Sequence, residues 1–193
     1  MERRLAVLLG VVLCASARQG SAAQHPVPAE WAKQGRAIAM RFMAELREEL
    51  LSAVAAGGPV NAIGVCREKA PEIGARHSRE TGFRVGRTSL RVRNPRNAPD
   101  AWEAQILETF RERTTAGEAA AGLEHSEVVE QGGRRVFRQL LAIPMGELCL
   151  GCHGESLAPE VQRAVGALYP EDRAVGFRLG EVRGAFTLSR DPE

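Results

Sequence analysis

Apolar positions in the first third of the chain recur at helical spacing. Ile38, Phe42, Leu46, Leu50 and Val54 fall every four residues, the stripe of a helix that buries one face, which predicts a long N-terminal helix over 30–56. Met40 and Met43 flank the stripe and read as core side chains. Gly57-Gly58-Pro59 ends it. Residues 60–79 read as a second helical segment, with Ile63, Cys66, Ala70, Ile73 and His77 at spacings of three and four, so Cys66 is expected to point into the core. Pro71 is expected to kink this segment or start a new helix. The pattern then changes. Residues 83–93 read as a strand, and Asn94-Pro95 with Ala98-Pro99 as a turn-rich loop. Asp100 can cap a third helix over 101–113, with Trp102, Ile106 and Phe110 as its stripe. Residues 126–130, the pair Gly132-Gly133 and residues 134–143 predict a β-hairpin. A short helix over 161–168 and a closing strand or hairpin over 177–189 follow, with Gly180 and Gly184 as turn or bulge points. This order predicts an α+β domain with a small antiparallel sheet.

The two ends of the chain differ in kind. Residues 1–23 carry Arg3 and Arg4, an apolar run over 5–15 and the small residues Ser21-Ala22-Ala23, the layout of a cleaved secretory signal. The apolar run is short for a membrane span, so an uncleaved anchor is the lesser alternative. Cys14 follows the bulky Leu13, which argues against lipoprotein-type cleavage. The mature chain is then one domain over 24–193, periplasmic or otherwise exported. The signal holds Glu2, Arg3, Arg4 and Arg18, a net of +2, and the whole chain is also +2, so the mature domain is near neutral. That balance points away from nucleic acid or an anionic membrane as partner, and no stable membrane insertion of the mature chain is expected.

The chemistry is concentrated at Cys149-Leu150-Gly151-Cys152-His153, followed by Gly154. C-x-x-C-H is the attachment signature of a c-type haem. Two thiols add across the two vinyl groups of one porphyrin, and the adjacent imidazole becomes the proximal iron ligand. A thioredoxin-like pair would leave His153 without a role, and no second C-x-x-C or H-x-x-H lies nearby to complete a zinc site. The signature predicts one covalent haem c, held by Cys149 and Cys152 with His153 proximal.

After His153 the chain has no Met, His, Lys or Cys, so a distal protein ligand must come from upstream. The candidates are Cys66, His77, His125, His25, Met40, Met43, Met145, Lys33 and Lys69. Cys66 stands out. It is the one cysteine left over once Cys14 leaves with the signal and Cys149 and Cys152 form thioethers, and a thiolate binds ferric iron strongly. A small buried hydrophobe explains Cys66 equally well from the residues alone. His77 is the second choice. Arg87, Arg91 and Arg93 suit the two haem propionates, since guanidinium pairs well with carboxylate, although a solvated strand face accounts for each singly.

Several stretches together carry a resemblance. They are 61–66 (NAIGVC), 86–95 (GRTSLRVRNP), Asn97-Ala98-Pro99-Asp100, Trp102-Glu103, 149–154 (CLGCHG), Tyr169-Pro170 and 180–185. In these the chain resembles a family of exported bacterial single-haem proteins with a PAS-like fold, known as a domain of unknown function. The resemblance implies a PAS-like antiparallel sheet flanked by helices, with His153 proximal and Cys66 as the distal ligand. Similar domains form the external part of signalling receptors; with its last residue at Glu193, this chain is expected to differ from those receptors in lacking their membrane helix and output domain.

The function expected is redox or small-ligand (gas) sensing through a His/Cys-ligated iron, with an unknown redox or signalling partner. The alternative is a periplasmic electron-transfer cytochrome. A peroxidase-type enzyme is the weakest reading, because the sequence offers no distal His–Arg pair for acid–base work.

Overall fold

A computed structural model describes residues 26–191. The expected signal, Cys14 and His25 lie outside the described residues. Helix α1 spans Ala29–Gly64 and buries Ile38, Ala39, Phe42 and Leu46, the first part of the anticipated stripe. Beyond Leu46 the stripe emerges: Leu50 and Val54 are only half-buried, and Leu51 is exposed. Met40 does not pack in the core as expected; it is 64% exposed, because it sits on the face of α1 turned from the sheet. Met43 does pack against the core.

The break foreseen at Gly57-Gly58-Pro59 is present inside α1, where Gly57 and Gly58 leave the helical region. Gly58 takes φ +71, which any side chain would strain. The helix resumes, then loosens to a π turn over Val65–Lys69 before α2, Ala70–Thr81. Pro71 lies in the first turn of α2 and has no amide to donate, so the preceding turn closes differently: the Ala70 N–H bonds Val65 O, five residues back. The π turn carries Cys66, which is half-buried and not in the core as its spacing suggested, because the wider turn shifts the helical phase.

Four strands make one open antiparallel sheet in the order β1-β4-β3-β2: β1 Arg84–Thr88, β2 Glu124–Gln131, β3 Arg134–Pro144 and β4 Val182–Arg190. Strand β1 is shorter than expected; a loop and a 3-10 turn at Pro95–Asn97 occupy the rest of 89–97. Between β1 and β2, helix α3 (Ala101–Thr115) opens on a capping box in which Asp100 accepts from the Glu103 N–H and Glu103 from the Asp100 N–H. Strands β2 and β3 form the expected hairpin around Gly132-Gly133.

Alternation along β3 and β4 sorts side chains to two faces. Phe137, Phe186 and Leu188 meet α1, α2 and Phe83 on one face. Leu140 and Ala185 meet Ile106, Leu107 and Phe110 of α3 on the other. Helices therefore flank the sheet, and the architecture is the expected α+β, PAS-like one with its long N-terminal helix. At the start of β4 the pairing jumps: Ile143 faces Gly184 and Pro144 faces Val182, leaving Arg183 with no partner in the ladder. Gly184 lies so close to β1 that a Cβ there would stand 2.4 Å from the Thr88 carbonyl oxygen.

Two further helices hang beyond the end of β3: α4, Glu147–His153, and α5, Pro159–Leu168. Ile63 of α1 packs with Val161, Val165 and Tyr169 to hold α5. The stretch Ala29–Thr81 is long and apolar enough to cross a membrane by length and composition. Its first half is spent on the sheet, as the burial of Ile38 to Leu46 shows.

Candidate functional site

Helix α4 presents the C-x-x-C-H segment on one short helix, with Cys149, Cys152 and His153 all half-buried. Spacings of three and four place Cys149 beside Cys152 and His153 on this helix. The Cys152 Sγ is 3.9 Å from the Pro59 carbonyl oxygen, so the break in α1 lies against the motif.

His153 is fixed from behind. Its Nδ1 is 2.6 Å from the Ala174 carbonyl oxygen. An N–H at Nδ1 donates there, which selects the tautomer and leaves the Nε2 lone pair free. Burial, and after it the charges of Arg183 and Arg93, hold the imidazole well below its ordinary pKa, so it is neutral. Phe177 stands edge-on to the ring at 6.5 Å between centroids. The backbone adds to this: the Phe177 N–H bonds His153 O at 3.0 Å, and the Gly176 N–H bonds Gly154 O at 2.8 Å.

Arg93 is the clamp. Its Nε and Nη2 bond the two carboxylate oxygens of Asp172 at 3.1 and 2.9 Å. Nη2 also donates to Cys152 O at 2.6 Å and Ala174 O at 3.3 Å. One guanidinium thus ties the motif helix to the segment that orients His153. The propionate role expected for Arg93 meets a side chain already engaged by a buried carboxylate. The Arg91 guanidinium stands over Phe177, 4.0 Å from the ring centroid, and donates to Arg173 O at 3.4 Å. Arg87 donates to Cys66 O at 3.5 Å.

Cys66 faces the same region. Burial is the first reason that the Cys149 and Cys152 thiols are pushed up, and a charge on Cys66 adds to both. That same charge would hold up the guanidiniums of Arg87 and Arg183 against the lowering effect of burial. The structure therefore brings Cys66, Cys149, Cys152, His153 and the arginines to one place, although Cys66 is more than eighty residues away in sequence.

The other ligand candidates are elsewhere. His77 is 2% exposed, tilted over Phe42, with Glu45 Oε1 3.3 Å from Nε2 but out of hydrogen-bond alignment. His125 lies at the surface beside Trp102 and Glu127. Met145 is buried with Ala174 and Phe177 behind the motif. Lys33 and Lys69 are exposed. Two surface grooves, of about 440 and 580 Å³, run along the β1–β4 face near Arg138 and between Leu90 and Pro170; neither is lined by Cys66, Cys149, Cys152 or His153.

Sequence reasoning missed Asp172, Ala174, Phe177 and Arg183. Asp172 follows Tyr169-Pro170, and its Oδ1 accepts from the Ala174 N–H at 2.8 Å, a local turn whose composition was the one available signal. A backbone carbonyl such as that of Ala174 has no signal in sequence at all.

The residues fit a porphyrin bound through two thiols. The neutral, back-bonded imidazole, the two adjacent thiols and buried guanidiniums facing a cysteine make a donor set of that chemistry. The model of the Tll0287-like family matches residues 19–190. The chain belongs to the Tll0287-like family. Among solved structures it is similar to the one described as the crystal structure of the cyanobacterial heme-protein Tll0287, with a TM-score of 0.61 and 22% identity over 87% of this chain and 98% of that one. At that identity the likeness concerns the fold. No curated protein matches the chain.

Proposed function

We propose that this Tll0287-like protein is an exported single-haem c-type protein whose iron lies between His153 and Cys66 and serves redox or small-ligand sensing. The observation that carries the reading is the convergence of Cys66 with Cys149, Cys152 and a His153 whose Nδ1 is bonded to Ala174 O. The heme-protein description of the structural relative supports it. When bound, haem supplies a one-electron iron couple and an axial position open to exchange.

The chain's own groups shape both properties. Cys149 and Cys152 would hold the porphyrin edge. His153, oriented by Ala174 O and Phe177, would be held in place toward the iron. Cys66 sits on a π turn, a looser element than the flanking helix, and its release is the step that would admit carbon monoxide or nitric oxide. An anionic thiolate favours ferric iron, so a low reduction potential follows.

An electron-transfer cytochrome is the second reading. It is favoured by the exposed Gly151 and the half-exposed thiols of the motif, which put the porphyrin edge within reach of a partner. The test is the ferrous optical spectrum with and without carbon monoxide, joined to ferric electron paramagnetic resonance of wild type and Cys66→Ala. Sensing predicts a carbon monoxide shift and a thiolate low-spin ferric signal that Cys66→Ala abolishes. No carbon monoxide shift favours the carrier, and an unchanged ferric signal in Cys66→Ala removes the thiolate.

A further inference from the structure

We propose that Arg183, with Arg87, forms the two-cation seat for the haem propionates, and that Arg93 does not belong to it. This rests on the haem reading above. The first observation is a count of charge. Among the described residues, the guanidiniums facing Cys66 and His153 are Arg87, Arg93 and Arg183, and the carboxylate among them is Asp172. Asp172 is taken by Arg93 through two bonds. Two enclosed cations are left.

The partners of those two are neutral. Arg183 donates through Nη1 to Ser89 Oγ at 3.0 Å and to Arg91 O at 3.3 Å, and lies 5.3 Å from the centre of the Phe177 ring. Arg87 bonds Cys66 O at 3.5 Å and lies 5.8 Å from the centre of the Phe42 ring. Enclosure with no carboxylate bonded to it is costly: Arg183 is brought down to about 10, with burial the first cause and the charges of Arg93 and Arg87 next, offset only in part by Cys66 and Asp172. Both side chains nevertheless keep accessible surface. A cation that is surrounded by protein yet still reachable is set to receive an anion.

The ligand's charge matches. Ferric porphyrin with a Cys66 thiolate is neutral at its centre, and the two propionates carry the remaining negative charge. Arg87 and Arg183 cancel it, one each. Guanidinium suits carboxylate through two parallel bonds, and each of the two has N–H groups not committed to its neutral partners.

The fold aims Arg183 on purpose. Regular alternation would set it on the α3 face with Ala185. The bulge opposite Ile143 and Pro144 leaves it unpaired and turns it to Ser89 and Phe177 instead. Ser89 Oγ, itself bonded to Arg183 O at 2.8 Å, fixes backbone and side chain together.

Resonance Raman spectroscopy of the haem-loaded full-length protein tests this, because the propionate bending bands report hydrogen bonding directly. Arg183→Met and Arg87→Met are each expected to shift one bending band to lower frequency, and Arg91→Met neither. Arg183→Met and Arg87→Met also lower the reduction midpoint, since a lost cation disfavours the added electron. Arg183→Lys and Arg87→Lys keep the charge and the fold but lose the planar fork, so the band shifts while the midpoint holds. Unmoved bands in haem-loaded Arg183→Lys and Arg87→Lys overturn the proposal, whatever the Met variants do. Wild-type protein without covalent haem would overturn the functional reading itself, a separate outcome.

Discussion

Arg93→Met tests the reasoning about the site most sharply through stability. Arg93 and Asp172 have side chains only 7% and 8% exposed and share two bonds. Removing the guanidinium leaves Asp172 as a buried carboxylate, with the Ala174 N–H as a remaining donor. It also strips a charged donor from Cys152 O and Ala174 O. Breaking one side of a buried ion pair costs about 3–5 kcal/mol, because the stranded charge is desolvated. For a chain of this size each kcal/mol lowers Tm by about 2–4 °C, so the loss is about 6–20 °C. The assay is thermal and denaturant unfolding of wild type, Arg93→Met and the double variant Arg93→Met/Asp172→Leu. Removing both charges leaves no stranded ion, so the double variant should be more stable than Arg93→Met alone. An Arg93→Met loss below about 1 kcal/mol, the value of an exposed pair, would refute the buried-clamp account.

Three other outcomes follow. Measured in a Cys149→Ala/Cys152→Ala parent that attaches no haem, Cys66→Ala should change stability by less than about 1 kcal/mol, because the residue is half-exposed; denaturant titration checks this, and a loss of several kcal/mol in that parent would make Cys66 a packing residue first. Gly184→Ala should cost about 1–3 kcal/mol from the 2.4 Å approach to Thr88 O; a neutral result in a thermal melt would mean β1 can yield there. At Asp100, burial pushes the carboxyl up, but the Glu103 N–H at 2.9 Å and Arg138 at 2.7 Å outweigh it and hold the pKa below the usual range. A depressed folded pKa gives stability that is present above the ordinary carboxylate value and fades as pH falls through the depressed one. Asp100→Ala should therefore cost about 0.5–2 kcal/mol at neutral pH, discounted toward the low end by its exposure, and much less in strong acid; an equal cost at both pH values in urea titrations would contradict this.

What the sequence revealed and what it hid divide along physical lines. The period of Ile38, Phe42 and Leu46, the Asp100–Glu103 box and the Gly132-Gly133 turn are local signals, and the structure has each of them. The break at Gly57-Gly58 was legible for the same reason. Met40 misled because the stripe neighbouring it is narrow, and a residue one position off the buried face meets solvent. Cys66 misled because periodicity assumes an unbroken helix, whereas Pro71 converts the turn before it to π geometry. The motif residues Cys149, Cys152 and His153 were readable as chemistry. The groups that orient them were not: Ala174 acts through a carbonyl, Asp172 through a partner 79 residues away, and Arg183 through a bulge.

The central claim is covalent haem at Cys149 and Cys152. Intact-mass spectrometry under denaturing conditions, on protein made in a host competent for haem c maturation, tests it most directly. The account predicts the polypeptide plus one haem, surviving acid denaturation, and the bare polypeptide for Cys149→Ala/Cys152→Ala. Bare wild-type polypeptide from such a host would contradict it.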